Sequence, residues 1–249
     1  MFFRIGGKSL TKIIHCADLH LDSPMETHMT EEQASIRNTE IIHTFLRLTE
    51  YAVKNDVRAV IIAGDMFDGE RIKIRTVDEI LDAIRRTPNV DYLYLAGNHD
   101  GATYAFADHD MPDNLKIFGK EWKTYKYDSV AISGVEICEA NSQSLYLQVP
   151  HENGVVNIVT LHDQVGVVSG VDQVIIPKLK NKGIDYLALG HIHTYAEQTL
   201  DGKGIYCYSG CLEGRGFDEC GPKGFVLLTV DSNRIQHEFV PFSRRQLHR

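Results

Sequence analysis

The sequence lacks the features that mark disulfide-rich, membrane-spanning or secreted proteins. It has only five cysteines among 249 residues and no C-x-x-C pair, so neither a disulfide framework nor a zinc ribbon is indicated. No segment reaches the roughly 20 consecutive apolar residues that a membrane span requires. The first residues also lack the apolar stretch of a secretory signal. These absences predict a cytoplasmic protein that does not associate with membranes.

An excess of basic charge is also missing. The chain has 26 Lys and Arg residues against 34 Asp and Glu residues, for a net charge of −8. Because a broad basic surface is the simplest electrostatic way to coat nucleic acid, any contact with nucleic acid is expected to be local. A metal site built on carboxylates remains compatible with this balance, since bound cations would neutralise part of the negative charge.

The first part of the chain has the pattern of parallel strands joined by helices. With 43% apolar residues, the sequence predicts one globular domain over residues 1–249. The predicted strands are Lys12–Cys16, Arg58–Ala63 and Asp91–Ala96. Helical spacing between them is carried by Ile36, Ile42, Leu46, Thr49 and Val53, and then by Val77, Ile80, Leu81 and Ile84. Two βαβ units are therefore predicted.

From Leu115 onward the pattern changes to short strands separated by turns. The predicted strands are Trp122–Tyr127, Ser129–Gly134, Val155–Leu161, Tyr186–Leu189, Ile205–Tyr208, Phe225–Val230 and Ile235–Val240. Within this part only Val171–Lys182 is predicted to be helical. Together the two parts predict an α/β protein in which two sheets pack as a sandwich flanked by helices.

Residues of the types that bind metal ions follow several predicted strands directly. The clusters are Asp18-Leu19-His20, Gly64-Asp65-Met66-Phe67-Asp68, Gly97-Asn98-His99-Asp100, Leu161-His162-Asp163 and Gly190-His191-Ile192-His193. Loops at the carboxyl ends of strands converge in an α/β sheet, and carboxylate, imidazole and amide ligands suit Mn, Fe or Zn. Taken singly, each cluster also fits a turn or a hydrogen-bonded histidine. All of them in this order favour a metal site.

These clusters resemble the motifs of the calcineurin-like metallophosphoesterase superfamily, from about Lys12 to Val230. The resemblance implies a four-layer α-β-β-α sandwich of two mixed sheets and two divalent metal ions, with Mn²⁺ expected and Fe or Zn as alternatives. It implies that Asp18, His20 and His193 hold one ion, that Asp65 bridges, and that Asn98, His162 and His191 hold the other. His99 matches the family's catalytic histidine, and Asp68 matches the carboxylate that orients it.

The first motif, Ile13–Asp22, resembles the nuclease subunit of the bacterial SbcCD complex and its DNA-repair relatives, as does the segment from Tyr208 to Phe225. This resemblance implies hydrolysis of phosphodiester bonds in DNA, with an ATPase as partner subunit. A phosphomonoesterase or small-nucleotide phosphodiesterase with the same metals is the alternative enzyme. A metal-binding scaffold without activity is the alternative outside catalysis, although a leaving-group acid such as His99 would then have no use.

Two further sets of charged residues are candidates for the site. Arg215 is predicted to bind the substrate phosphate as part of a cationic strip, although charged residues near a terminus are most often simply solvated. The strip consists of Arg215, Arg244, Arg245 and Arg249. Asp100 and Asp163 directly follow motif residues and are candidates for fixing the tautomer of a ligating imidazole.

Overall fold

The computed structural model describes residues 10–23, 25, 29–69, 72–100, 106, 109–166, 173–216 and 219–248. Its first half contains β1 (Thr11–Cys16), α1 (Glu31–Lys54), β2 (Val57–Ala63), α2 (Ile74–Arg85), β3 (Asp91–Leu95), β4 (Leu115–Ile117), β5 (Lys123–Tyr127) and β6 (Val130–Gly134). A 3₁₀ helix (Leu145–Leu147), β7 (Val156–His162), β8 (Gln164–Gly166), β9 (Gln173–Ile175) and α3 (Ile176–Leu179) follow. The last strands are β10 (Tyr186–Gly190), β11 (Ala196–Thr199), β12 (Ile205–Tyr208), β13 (Gly224–Asp231) and β14 (Arg234–Pro241).

The strands form two six-stranded mixed sheets and one small two-stranded sheet. The first sheet has the order β14-β13-β1-β2-β3-β4. Strands β1 to β4 are parallel to one another, β13 is antiparallel to β1, and β14 is antiparallel to β13. The second has the order β11-β12-β10-β7-β6-β5, with antiparallel strands only at its two edges. The two βαβ units and the two mixed sheets of the sequence prediction are therefore confirmed.

The sheets pack face to face, with helices outside. Ile61 of the first sheet and Ile158 of the second belong to one fully buried cluster between the sheets. Helices α1 and α2 cover the outer face of the first sheet. The outer face of the second sheet is covered by shorter pieces, namely the 3₁₀ helix, α3 and the β8–β9 pair. The predicted α-β-β-α layering is confirmed, and its second helical layer is thin.

Helix α1 begins with a capping box, in which the Thr30 and Gln33 side chains each accept a hydrogen bond from the other residue's backbone N–H. The predicted helix is confirmed. Two residues of the predicted apolar pattern nevertheless face solvent: Ile36 is 48% exposed and Val53 is 52% exposed, whereas Phe45 is fully buried.

Within the described residues, no helix has the length and apolarity needed to cross a membrane.

The predicted helix Val171–Lys182 is wrong over most of its length. Its first two residues lie outside the described residues, Gln173–Ile175 is a strand that pairs with β8, and only Ile176–Leu179 is helical. Pro177 explains the difference, because proline has no backbone N–H and is tolerated in the first turn of a helix but not in its interior.

Candidate metal centre

The predicted ligands lie where strands of both sheets end at the same edge of the sandwich. Asp18 and His20 follow β1, Asp65 follows β2, Asn98 follows β3, His162 ends β7, and His191 and His193 follow β10. The structure brings all of these side chains together. Because parallel strands of one sheet end at the same side, residues far apart in sequence converge there.

Four of these residues have a left-handed backbone, with φ values of 52° at Asp18, 45° at His20, 51° at Asp65 and 98° at His191. Such values are uncommon outside glycine and cost on the order of 1–3 kcal/mol each. Hydrogen bonds between the loops hold these conformations, including those from the His20 N–H to the Asp65 carbonyl (3.0 Å) and from the His191 N–H to Asp18 Oδ1 (2.8 Å). The strained loops are therefore fixed by one another.

Gly64 and Gly97 allow the loops to approach this closely. A Cβ on Gly64, where φ is +94°, would lie 1.9 Å from His162 Nδ1. A Cβ on Gly97 would lie 2.2 Å from Asp65 Oδ1. Glycine is therefore required at both positions by space, and at Gly64 by backbone conformation as well.

A first cluster consists of Asp18, His20 and His193, whose ligand atoms lie within 4.8 Å of one another. The Nε2 atoms of His20 and His193 are 3.2 Å apart. Since His193 Nδ1 donates to Glu219 Oε1 (2.6 Å), its Nε2 offers a lone pair to this space. Asp18 Oδ2 is buried and has no hydrogen-bond partner among the described residues. A cation between these atoms would satisfy the unpaired carboxylate oxygen.

A second cluster contains His162, Asn98 and His191. His162 Nδ1 donates to the Ala63 carbonyl (2.8 Å), which directs Nε2 toward Asn98 Oδ1 (3.0 Å). His191 Nδ1 lies 3.2 Å from the same amide oxygen. Asp65 Oδ2 is 3.4 Å from His162 Nε2. Imidazole nitrogens and amide and carboxylate oxygens therefore converge here, the donor types that divalent cations bind.

Asp65 lies between the two clusters. Its Oδ2 atom is 3.9 Å from His20 Nε2 as well as 3.4 Å from His162 Nε2. Burial alone would raise the pKa of Asp65, but hydrogen bonding and charge from His162 outweigh burial and lower it to about 2. Burial likewise opposes the charged form of His162, but Asp65 raises the pKa of this histidine to about 9. A proton on His162 thus balances the Asp65 charge that a metal ion would otherwise neutralise.

His99 and Asp68 lie at the rim of these clusters. The His99 side chain is 52% exposed, and its Nδ1 is 3.4 Å from Asp68 Oδ1. Asp68 Oδ2 also accepts a hydrogen bond from the Ser23 hydroxyl (2.7 Å). The His20 ring, with Ser23 and Arg215, holds the pKa of Asp68 well below its ordinary value, although burial opposes this shift. Asp68 is therefore an anion beside an accessible imidazole.

Arg215 lies between two carboxylates near the site. Its Nη1 donates to Asp68 Oδ2 (3.1 Å), while its Nη2 donates to Glu219 Oε1 (3.2 Å) and its backbone N–H to Glu219 Oε2 (2.7 Å). Glu219 is buried; burial would raise its pKa, but the hydrogen bond from His193 and the charge of Arg215 lower it to about 2. The structure thus places Arg215 beside the clusters, and its role in binding substrate stays a prediction.

Two further arginines of the predicted cationic strip are paired with carboxylates. Arg244 and Arg245 lie against Glu40, at 3.4 and 2.6 Å, and their backbone N–H groups donate to the buried Glu213 carboxylate. Arg249 lies outside the described residues. These arginines were predicted from charge alone, which does not show the carboxylates that pair with them.

Asp100 organises backbone rather than an imidazole. Its carboxylate accepts hydrogen bonds from the N–H groups of Gly97 (2.9 Å), Phe67 (2.8 Å) and Met66 (3.2 Å), and so joins the loops that follow β2 and β3. Burial raises the pKa of this carboxyl to about 6. Asp163, the other predicted orienting residue, is buried directly after β7.

Comparisons with known proteins agree with this geometry. The model of the calcineurin-like phosphoesterase family matches residues 11–195. The uncharacterized metallophosphoesterase YhaO of Bacillus subtilis is 26% identical over 91% of this chain and 59% of its own length. The DNA double-strand break repair protein Mre11 of Sulfurisphaera tokodaii is 27% identical over 78% of this chain and 52% of its own length. The chain thus spans about half to three fifths of these relatives.

A solved structure shows the same architecture. A dimetal phosphatase from Danio rerio covers 92% of this chain and 95% of its own chain with a TM-score of 0.56, and at 12% identity this likeness concerns the fold alone. The family model covers most of the chain, from β1 through the last predicted ligand, His193. The chain belongs to the calcineurin-like phosphoesterase family, whose members are hydrolases that act on phosphoester bonds with a dinuclear metal site.

Proposed function

We propose that this domain hydrolyses phosphodiester bonds, with DNA as the substrate class. The observation that carries the proposal is the convergence of two ligand clusters on Asp65, with the exposed His99 ring at their rim. A site with two ions suits the transfer of a phosphoryl group, because one substrate can lie against both ions.

Each side chain has an assigned role in this proposal. Asp18, His20 and His193 would hold one ion, Asn98, His162 and His191 would hold the other, and Asp65, which lies between the two clusters, would serve both. When bound, two divalent ions supply Lewis acidity for the phosphoryl group and for the attacking water. Mn²⁺ is the expected ion because the donors are nitrogen and oxygen atoms, a set that Fe and Zn also accept.

His99 is proposed to protonate the leaving oxygen. Its imidazole is exposed, and the neighbouring Asp68 carboxylate, 3.4 Å away, can orient the ring for proton donation. Arg215 holds Asp68 from the opposite side. The proposal favours an enzyme over a metal-binding scaffold without activity, because a scaffold would not need a leaving-group acid at this position.

The preference for DNA is supported by the likeness to Mre11, a DNA double-strand break repair protein, and by the SbcCD-like first motif. The net charge of −8 gives little general attraction for a duplex. We therefore propose that a partner supplies most of the binding affinity for DNA. By the resemblance to SbcCD, this partner is an ATPase subunit. A phosphomonoesterase or small-nucleotide phosphodiesterase would use the same ligands and is the competing function.

The first test compares bis-p-nitrophenyl phosphate with p-nitrophenyl phosphate in the presence of Mn²⁺, followed by a DNA oligonucleotide. We expect the diester and the oligonucleotide to be cleaved in preference to the monoester. Preference for the monoester would instead indicate a phosphatase. Two bound ions without turnover of any phosphoester would indicate a scaffold.

The second test replaces His99 by Ala. We expect His99→Ala to lower kcat on the oligonucleotide by roughly 10²–10⁴-fold, because general acid catalysis contributes about that much. The loss should be smaller for the p-nitrophenyl diester, whose leaving group departs without a proton. His151→Ala, at an exposed loop histidine, is the matched control. Metal content that falls in parallel with rate in His99→Ala would contradict the assigned role.

A further inference from the structure

We propose that Arg215 is a positioning residue that links the metal-binding clusters to the leaving-group acid. Its guanidinium joins two carboxylates with different tasks. Glu219 fixes the His193 ring, and Asp68 faces the His99 ring. The inference rests on the proposed function for the catalytic role of His99, and it assigns to Arg215 a role other than binding substrate phosphate.

The Glu219 side of the link is short and buried. Glu219 Oε1 accepts from both His193 Nδ1 (2.6 Å) and Arg215 Nη2 (3.2 Å), and Oε2 accepts the Arg215 backbone N–H (2.7 Å). Glu219 is 7% exposed. A carboxylate that binds the distal nitrogen of a ligating imidazole fixes its orientation and raises its basicity. Arg215 holds this carboxylate in place through both of its oxygen atoms.

The Asp68 side of the link reaches the rim of the site. Arg215 Nη1 donates to Asp68 Oδ2 (3.1 Å), the oxygen that also accepts from Ser23, while Asp68 Oδ1 faces His99 (3.4 Å) and His20 (3.8 Å). Without the guanidinium, Oδ2 would keep only the Ser23 hydroxyl. The carboxylate would then be free to rotate, and its hold on the His99 ring would weaken.

The same geometry argues against a phosphate-binding role. Both Nη atoms of Arg215 already donate to carboxylates, and the side chain is only 23% exposed. The planar guanidinium matches two acceptors at once, which a lysine ammonium cannot reproduce. Arg215→Lys is therefore a sharp probe, because lysine would still attract a phosphate but would not hold both carboxylates.

The first experiment measures Mn²⁺ binding by calorimetry on the metal-stripped protein, without substrate. Glu219→Gln should weaken one of the two binding events by roughly 10–100-fold, the usual effect of losing a partner of a ligating histidine. Arg215→Met should weaken the same event by a smaller factor and leave the other unchanged. Arg85→Met, at an exposed ion pair on α2, is the control. Isotherms that match the wild type in both site variants would overturn the link.

The second experiment separates kcat from KM at saturating Mn²⁺ with the oligonucleotide substrate. Arg215→Met should lower kcat roughly 10-fold with little change in KM, and Arg215→Lys should recover only part of the loss. In the His99→Ala background, Arg215→Met should have almost no further effect on kcat, because both changes act through one group. A rise in KM alone that lysine restores would show phosphate binding instead and overturn the proposal.

The two experiments distinguish the inference from the proposed function. If the wild-type protein binds two ions but cleaves no phosphoester, the proposed function fails, and the calorimetric comparison still decides whether Arg215 supports the His193 cluster. If the wild type is active and the losses from Arg215→Met and His99→Ala multiply, the proposed function stands and the coupling to His99 is refuted.

Discussion

At the scale of single residues, Gly64 has two separate reasons to be glycine. Its φ of +94° suits no other residue well, and a Cβ would meet the His162 ring at 1.9 Å. Gly154, at φ +77°, has the conformation without the crowding, since among the described residues none besides its chain neighbours has a heavy atom within 4 Å of its Cβ position. Substitutions at Gly64 and Gly154 therefore separate the cost of backbone strain, present at both positions, from the cost of displacing a candidate ligand, present only at Gly64.

We predict that Gly154→Ala lowers the free energy of unfolding by roughly 1–2 kcal/mol, the cost of a left-handed alanine. Gly64→Ala should lose on the order of 1–3 kcal/mol more through overpacking, and should also weaken Mn²⁺ binding by moving His162. Urea denaturation and calorimetry of both variants provide the measurement. If Gly64→Ala and Gly154→Ala lose the same stability and metal affinity is unchanged, the His162 ring moves aside without an energetic cost.

His15 predicts how stability depends on pH away from the metal ligands. The ring is fully buried in β1, its Nδ1 lies 2.9 Å from the Tyr186 hydroxyl, and its Nε2 has no partner among the described residues. Burial lowers the pKa of His15 from 6.5 to about 3. The unfolded chain therefore binds a proton that the folded chain does not, so stability is complete above pH 6.5 and falls as the pH drops toward 3.

At pH 5 this single group should cost roughly 2 kcal/mol of stability relative to pH 7, at about 1.36 kcal/mol per pH unit below 6.5. His15→Asn should have a shallower dependence between these two pH values, whatever its stability at pH 7. Urea denaturation of both proteins in EDTA removes the contribution of metal. Identical slopes would mean that His15 is not the buried neutral group described above.

The sequence predicted the convergence of the candidate ligands better than the residues that support them. Asp18, Asn98 and His191 lie within three residues of the ends of buried strands, and the convergence of strand ends makes their meeting predictable. Glu219 comes from a long loop without periodicity, where nothing in the residue pattern indicates which carboxylate will meet His193. Its position depends on the tertiary path of that loop.

At the scale of elements, the buried Glu213 carboxylate ties the segment after β14 to helix α1. It accepts hydrogen bonds from the backbone N–H groups of Arg244 (2.6 Å) and Arg245 (3.1 Å) and from the Thr44 hydroxyl (2.9 Å) on α1. The guanidinium of Arg37 lies 3.4 Å away. The Glu213 side chain thus helps to hold this segment against α1, together with the pairing of Arg244 and Arg245 with Glu40.

We predict that Glu213→Ala lowers the free energy of unfolding by about 3 kcal/mol, because it leaves buried charge and backbone donors without their acceptor. It should also speed trypsin cleavage after Arg244 and Arg245 in the otherwise folded protein. Glu121→Ala, at an exposed position, should change neither property. Unchanged proteolysis would show that other contacts hold this segment.

The element that the sequence predicted wrongly has a local physical cause. Val174, Ile175 and Ile176 are β-branched and precede Pro177, and together they favour a strand followed by a new helix start. The helical spacing of apolar residues over Val171–Lys182 concealed the change from strand to helix, because a short apolar run fits the period of a strand as well as that of a helix. The longer helices α1 and α2 have no internal proline and were predicted reliably.

At the scale of the whole molecule, the proposed ions would join the two sheets. Asp18, His20, Asp65 and Asn98 lie in loops that follow strands of the first sheet. Of the three remaining histidines, His162 ends a strand of the second sheet, and His191 and His193 follow another. Ions held from both sides stabilise only the state in which the sheets are docked. Binding should therefore contribute directly to the stability of the fold.

We predict that Mn²⁺ at 100 times its dissociation constant raises the free energy of unfolding by about 2.7 kcal/mol over the protein in EDTA, for one site. Asp65→Asn should lose most of this gain, because Asp65 is placed between both clusters. Thermal unfolding with and without EDTA provides the measurement. If the melting temperature of the wild type is the same with and without EDTA, ion binding between the sheets is contradicted.

The pairing of β1 with β13 constrains how the chain is completed during synthesis. One side of β1 contacts β2 early, but its other neighbour is formed by residues 224–231, which are synthesised long after β1. Until that strand leaves the ribosome, a buried apolar strand keeps one open edge, the kind of edge that recruits strands from other chains. A nascent chain stalled before Gly224 is therefore a natural client for chaperones, and truncation there should give aggregation rather than a smaller active enzyme.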